Sequence, residues 1–195
     1  MHFLRRLLHG YKNLLSHRPY TVQAIQTASL MGLGDVIAQT FIDGKQLTQI
    51  NPMRTLQYSV VGLVVGPTVG KWYRILEGIY GKEAVVKKVL TDQLIFSPVF
   101  IAILVTSLNL LQGLSWDEAV TKVQNSYFDI LLTGYQIWPA VQVVNFYFIP
   151  IQYRVLLVQA VAVVWNTYLS WKLNSTTVEA TLTSALAKEL TSKSQ

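Results

Sequence analysis

Long apolar runs separated by short polar punctuation dominate this chain. Residues 130–171 hold a single charge, Arg154, across 42 positions, with Pro139 and Pro150 at the joints. Core helices and strands of soluble domains are much shorter, whereas about 20 apolar residues cross a bilayer. Three further runs precede it, at 20–42, 56–76 and 89–111. Divided at Pro150, the long run gives 130–149 and 151–171. The pattern predicts an all-α, multi-span membrane helix bundle of four spans, or five with a Pro-broken C-terminal region.

Small residues recur every fourth position in the first two spans. Ala24, Ala28 and Gly32 form one such stripe, and Gly62, Gly66 and Gly70 form the other, as two overlapping GxxxG steps. Lipid offers no hydrophobic drive between helices, so smooth faces of this kind pack by close contact. Pro67, Pro98, Pro139 and Pro150 each lack a backbone donor and predict helix kinks or breaks. A polar, amphipathic stretch at 115–129 opens on Ser115 with Glu118 three residues later, the spacing of a capping box.

The two ends differ from the middle. In residues 1–18, Leu4, Leu7, Leu8, Tyr11, Leu14 and Leu15 share a helical stripe that avoids Arg5, Arg6, Lys12 and Arg18, and no acid appears before Asp35. This amphipathic basic N-terminal helix suits a mitochondrial transit signal, an interfacial helix or a first bundle helix. Residues 173–195 are Ser/Thr-rich and read as a polar C-terminal tail. The chain thus divides into 1–18, a membrane helical bundle at 19–172, and 173–195.

Composition narrows the chemistry. With 51% hydrophobic residues, 13% charged and a mean hydropathy of +0.35, an ordinary cytosolic domain is excluded. Cysteine is absent and the three histidines lie at His2, His9 and His17, so thiol chemistry and a His-based site in the bundle are excluded. The net charge of +6 sits at the ends and in one loop, which favours anionic lipid head groups as partners over nucleic acid. With four spans, the amino terminus, the 71–88 loop and the tail share a side holding 12 Lys and Arg against 3 opposite. That side would face the matrix or cytosol, and a fifth span would move the tail across.

Polar residues nevertheless fall inside the predicted spans: Asp35, Asp92 and Arg154, with Gln23, Gln26, Gln39, Gln93, Gln142, Asn145, Gln159 and Asn166. Each is costly in hydrocarbon without a partner or water. They make either a polar pathway or an internal staple such as a carboxylate paired with Arg154. The pore candidates are Asp35, Asp92, Gln93, Asn145, Arg154 and Asn166. No GxxxxGK[ST], HExxH, GxSxG or DxDxDG motif occurs, so no enzyme activity, cofactor or metal is expected. No TVGYG filter occurs either, so a pore would be wide and poorly selective.

Several segments in order carry a resemblance. They are Gly34-Asp35 with Gln39, Gly66-Pro67 ahead of Lys71-Trp72-Tyr73, and Asp92-Gln93 with Pro98. Trp138-Pro139, Gln142, Asn145-Phe146, Pro150 and Arg154 follow, closing on Trp165-Asn166-Thr167-Tyr168-Leu169-Ser170-Trp171-Lys172. Together they resemble the Mpv/PMP family of peroxisomal and mitochondrial membrane proteins over about 19–172. Residues 29–35 and Asn145-Phe146-Tyr147 look most like its mitochondrial inner-membrane member linked to mitochondrial DNA depletion. Gly134-Tyr135 departs from the Asn-aromatic pair of many members.

The resemblance implies a multi-span helical protein, usually counted as four spans, located in the mitochondrial inner membrane, with the peroxisomal membrane as alternative. It implies a weakly selective, voltage- or redox-modulated channel for small solutes and ions, tied to membrane potential and nucleotide supply. A non-conducting scaffold in a larger inner-membrane complex, or a homo-oligomer, is the other reading. At the matched positions, Trp72, Tyr73, Trp138, Trp165 and Trp171 suit interface anchors. The prolines clustered near Asn145 and Arg154 either wall a cavity or bend helices to fit one another.

Overall fold

The computed structural model describes residues 10, 11 and 13–193, with side chains up to residue 174. Most of the amphipathic start, residues 1–9 and 12, lies outside the described residues. The described chain is helical and contains no strand.

Among the described residues from Pro19 onward, six helices build five rods, each antiparallel to the next. Helix α1 (Pro19–Ile37) starts with proline at its first position, where a missing N–H costs nothing, and continues into a π turn, Ala38–Ile42. Helix α2 (Pro52–Tyr80) is capped by Asn51, whose side chain accepts from the N–H groups of Met53 and Arg54 at 3.1 Å. It stops at Gly81, whose φ of +68° suits a residue without Cβ. Helix α3 (Val85–Thr91), a π turn (Asp92–Phe96) and α4 (Ser97–Leu111) form the third rod. Helix α5 (Trp116–Phe148) opens on the Ser115–Glu118 capping box and ends as Ile149 turns extended before Pro150. After a short 3-10 turn, Ile151–Tyr153, helix α6 runs over Arg154–Lys193.

Helix α1 packs chiefly on α2 and α6, and α4 packs on α5. A first apolar cluster joins Met31, Tyr58, Ile101, Leu108, Ile130, Trp165 and Leu169 from five helices. A second gathers Val69, Tyr73, Leu76, Val89, Phe146 and Val155 nearer the α2–α3 connection. Large apolar side chains also cover the outside, among them Phe41, Leu63, Val64, Leu94, Ile103 and Val164. That distribution suits a hydrocarbon solvent better than water. Among the described residues, one rod, Val85–Leu111, is long and apolar enough to cross a membrane, at a mean hydropathy of 2.3.

Several expectations change. Helices α2 and α5 run on through Pro67 and Pro139, so neither residue breaks its helix. Pro98 lies in the first turn of α4, and Pro150 alone separates two helices, α5 from the turn leading to α6. The polar stretch 115–129 and the apolar 130–148 belong to one helix of 33 residues, about 50 Å long. The backbone of α6 continues through residue 173 to Lys193. Rod direction is fixed by ion pairs. Arg154, at the start of α6, meets Glu77 near the end of α2, whereas Ser170 meets Asp35 and Arg54 at the opposite end. The backbone beyond Ser170 therefore lies at the end away from the 71–88 loop.

Candidate functional site

A cavity of about 100 Å³ lies between the rods. Most of its wall is apolar, and its polar groups are Thr27, Tyr73, Asp92, Gln93, Ser97, Gln142, Gln159 and Asn166. Asp92 and Gln93 open the π turn of the third rod, a widened turn that carries i→i−5 bonding, here from the Ser97 N–H to the Asp92 carbonyl. The buried Asp92 carboxylate accepts from Trp72 Nε1 at 2.8 Å, Gln93 Nε2 at 2.6 Å and Gln142 Nε2 at 3.0 Å. Gln142 Nε2 also donates to the Tyr73 hydroxyl at 2.8 Å, and Asn145 Nδ2 donates to Gln142 Oε1 at 3.1 Å.

No cation pairs with Asp92 among the described residues, so neutral N–H donors alone offset its burial. Acceptors are in surplus around it. Gln93 Oε1, Gln159 Oε1 and Asn145 Oδ1 are buried without a hydrogen-bond partner. Gln159 meanwhile donates to the Thr27 hydroxyl across the α1–α6 interface. The site thus holds one carboxylate and two unpartnered amide oxygens, Gln93 Oε1 and Gln159 Oε1, in a wall that is otherwise mostly apolar. Among the described residues no group of three His, Cys, Asp or Glu could hold a metal ion.

Charged clasps close both ends of the bundle. At one, Asp35 takes four donors: Arg54 Nε at 2.6 Å, Ser170 Oγ at 2.6 Å, Thr55 Oγ1 at 2.6 Å and Gln39 Nε2 at 2.8 Å. Arg54 also reaches Asp43 at 3.0 Å and Ser170 at 2.7 Å. Charge-assisted bonds of this kind are the stronger class. At the other end, Glu77 Oε2 receives Arg154 Nη1 at 2.6 Å and Lys88 Nζ at 3.0 Å. Arg154 further donates to the carbonyls of Ile149 and Phe146 at the end of α5. Lys88 donates to the carbonyls of Gly81 and Lys82 just past α2. Both cations thus sit at helix C-termini, where the macrodipole favours them.

The sequence candidates separate accordingly. Asp92, Gln93 and Asn166 reach the cavity, and Asn145 lies one bond behind it on Gln142. Asp35 and Arg154 do not; each belongs to a clasp, and the carboxylate paired with Arg154 is Glu77 rather than an intramembrane aspartate. The small-residue faces meet as anticipated. A Cβ on Gly62 would fall 2.6 Å from the Ala28 Cα, one on Gly66 would strike the Gln23 carbonyl oxygen, and one on Gly70 the Gln23 amide.

The aromatic residues expected as interface anchors differ in their surroundings. Tyr73 and Trp165 are buried in the two clusters, Trp138 makes an edge-on contact with Trp165, and Trp72 is a donor to Asp92. Trp171 remains partly exposed.

Arg54, Glu77, Lys88 and Tyr135 were not legible as site residues. The Tyr135 hydroxyl donates to the Gln93 carbonyl at 3.0 Å, an oxygen left without its i+5 donor because Pro98 has no N–H. The spacing from Gln93 to Pro98 carried that signal.

Residues 109–170 match the Mpv17 / PMP22 family. The chain is similar to the mitochondrial inner membrane protein Mpv17 of Danio rerio and to that of Xenopus laevis. Identity is 44% over 172 residues in each case, covering 86% of this chain and 97% of the relative. The protein of the same name from Homo sapiens is 42% identical over 170 residues, 85% of this chain and 97% of its own. No solved structure matches.

Proposed function

The chain belongs to the Mpv17/PMP22 family and is a protein of the mitochondrial inner membrane, and on that premise we propose that it is a weakly selective channel for small solutes or ions. The observation that supports this reading most is the buried Asp92 carboxylate, with unpartnered amide oxygens of Gln93 and Gln159 at the same cavity, inside an otherwise apolar bundle. A polar interior in such a protein costs free energy, and function is the usual reason it persists. On this reading the clasps at both ends restrain the bundle, and conduction requires at least one of them to part.

Ions passing this way would move down the membrane potential, which is worth about 2.3 kcal/mol per charge per 100 mV. Channel opening therefore lowers the potential, and the matrix nucleotide supply needed for mitochondrial DNA depends on transport coupled to it. The pathway has no built selectivity beyond its lining carbonyls and one carboxylate, consistent with weak discrimination.

The test is single-channel recording of the purified full chain in planar bilayers beside Asp92→Asn. Discrete steps whose ion preference shifts in the variant support the reading. Steps unaltered by Asp92→Asn would leave the pathway elsewhere. A silent bilayer, with the protein shown to be folded, would refute the channel and favour a non-conducting scaffold.

A further inference from the structure

The clasp at Glu77 stands in a particular relation to the cavity. On α2, Glu77 lies four residues beyond Tyr73; on α3, Lys88 lies four residues before Asp92. On α5, Phe146 lies four beyond Gln142; on α6, Arg154 lies four before Val158. All four inner residues line the cavity. Four residues are one helical turn, about 6 Å. The outer set therefore lies one turn beyond the cavity, with one member from each of four rods; α1, which lines the cavity through Thr27 and Met31, contributes none. Phe146 fills its centre. Its ring lies under Lys88 Nζ at 5.7 Å and Arg154 Cζ at 5.2 Å, and edge-on to Tyr73 at 5.4 Å.

The two clasps are built differently. At the Asp35 end one guanidinium has two carboxylates and Asp35 has four donors, so the loss of any single contact leaves others in place. At the Glu77 end two cations converge on one oxygen of one carboxylate. Without that carboxylate, Lys88, which is fully buried, and Arg154, which is nearly so, keep only carbonyl partners and face each other as like charges across Phe146. Glu77 keeps 17% of its side-chain surface accessible, so it is the part of the clasp that solvent reaches.

We infer that Glu77, Lys88, Arg154 and Phe146 form the gate of the cavity, with Glu77 as the latch that holds the two cations and the Phe146 plug shut. The Asp35–Arg54 clasp is the fixed end. The inference rests on the channel reading for its physiological meaning, and its test does not use conduction.

The chain has no cysteine, so one introduced thiol is the sole reactive sulfur. Ala162, which lines the cavity, is replaced by cysteine in the full chain reconstituted in liposomes, and its labelling by a small water-soluble maleimide is timed. Adding Glu77→Gln should raise the labelling rate at least about tenfold, the factor expected for the loss of one charge-assisted hydrogen bond. Glu77→Asp, which keeps the charge on a shorter stem, should fall between the two.

Equal rates in Glu77→Gln and the parent overturn the gate. If Glu77→Gln does not fold, the parent and Glu77→Asp decide it by the same comparison. Arg54→Lys at the opposite end should leave the rate unchanged, and acceleration there equal to that at Glu77 would also overturn the assignment. Accelerated labelling together with silent bilayers would retain the gate and discard the channel.

Discussion

Replacing Gly66 with alanine tests how closely α1 and α2 must approach. A Cβ at residue 66 would lie 2.7 Å from the Gln23 carbonyl carbon and 2.5 Å from Thr27 Oγ1, where ordinary contact begins at 3.4 Å. The Gln23 obstacle is backbone and cannot rotate away, so the helices must part by roughly 1 Å, enough to forfeit a quarter to a half of each dispersion contact between them. Overpacking of this kind costs about 1–3 kcal/mol, and an unyielding backbone puts Gly66 near the upper end. Alanine returns up to about 1 kcal/mol of helix propensity, leaving a net loss of about 2 kcal/mol.

Gly78 provides the control on the same helix, since nothing lies within 4 Å of a Cβ placed there. Gly78→Ala should therefore stabilise the protein by up to about 1 kcal/mol. Both variants are measured by reversible unfolding in mixed micelles, followed by helical circular dichroism. Shifts of the same sign in the two variants would refute the close-approach account.

Arg54→Gln should destabilise the bundle by about 3–5 kcal/mol, because it strands the fully buried Asp35 carboxylate; Asp35→Asn added to it should recover much of the loss in the same unfolding assay. The Glu118 carboxyl is held below the ordinary carboxylate range by hydrogen bonds from the Ser115 hydroxyl and then the Ser115 N–H. A depressed folded value means that its contribution is present above the unfolded pKa of about 4.3 and is lost as pH falls through the folded one. The midpoint difference between the parent and Glu118→Gln should hold steady from neutral pH to about 5 and narrow below about 4, and a difference that stays constant throughout would count against the capping box.

Periodicity and punctuation made much of this architecture readable. The GxxxG face, the Ser115–Glu118 box and the joint at Pro150 are local signals, and each sits where its spacing put it. Partnerships were harder. A lone arginine in an apolar run says that a carboxylate must be near, but Glu77 lies 77 residues away in sequence and reaches Arg154 only because two rods end together. Lys88 and Arg54 looked like loop and flank charges, since sequence cannot tell a cation facing water from one folded inward over a helix terminus. Tryptophan is ambiguous for a related reason: an indole that anchors at a head group and one that donates to a buried carboxylate look alike in sequence, and Trp72 donates to Asp92. Proline misled too, because α2 and α5 absorb Pro67 and Pro139 without ending.

The π turn at Asp92–Phe96 makes the third rod sensitive to length as well as to composition. One extra residue is accommodated there, and each residue advances a helix by about 100°. Everything from Ser97 to Leu111 is turned by that amount relative to an uninterrupted helix, and this rotation brings Ile101, Leu104, Val105 and Leu108 onto the core side. A one-residue deletion inside the turn would leave every side chain beyond it chemically intact yet swing the whole inner face of α4 toward the outer surface. Along this rod, register is inherited together with sequence. A gap of one position between two members of the family at this point marks a reassigned helix face rather than a trimmed loop.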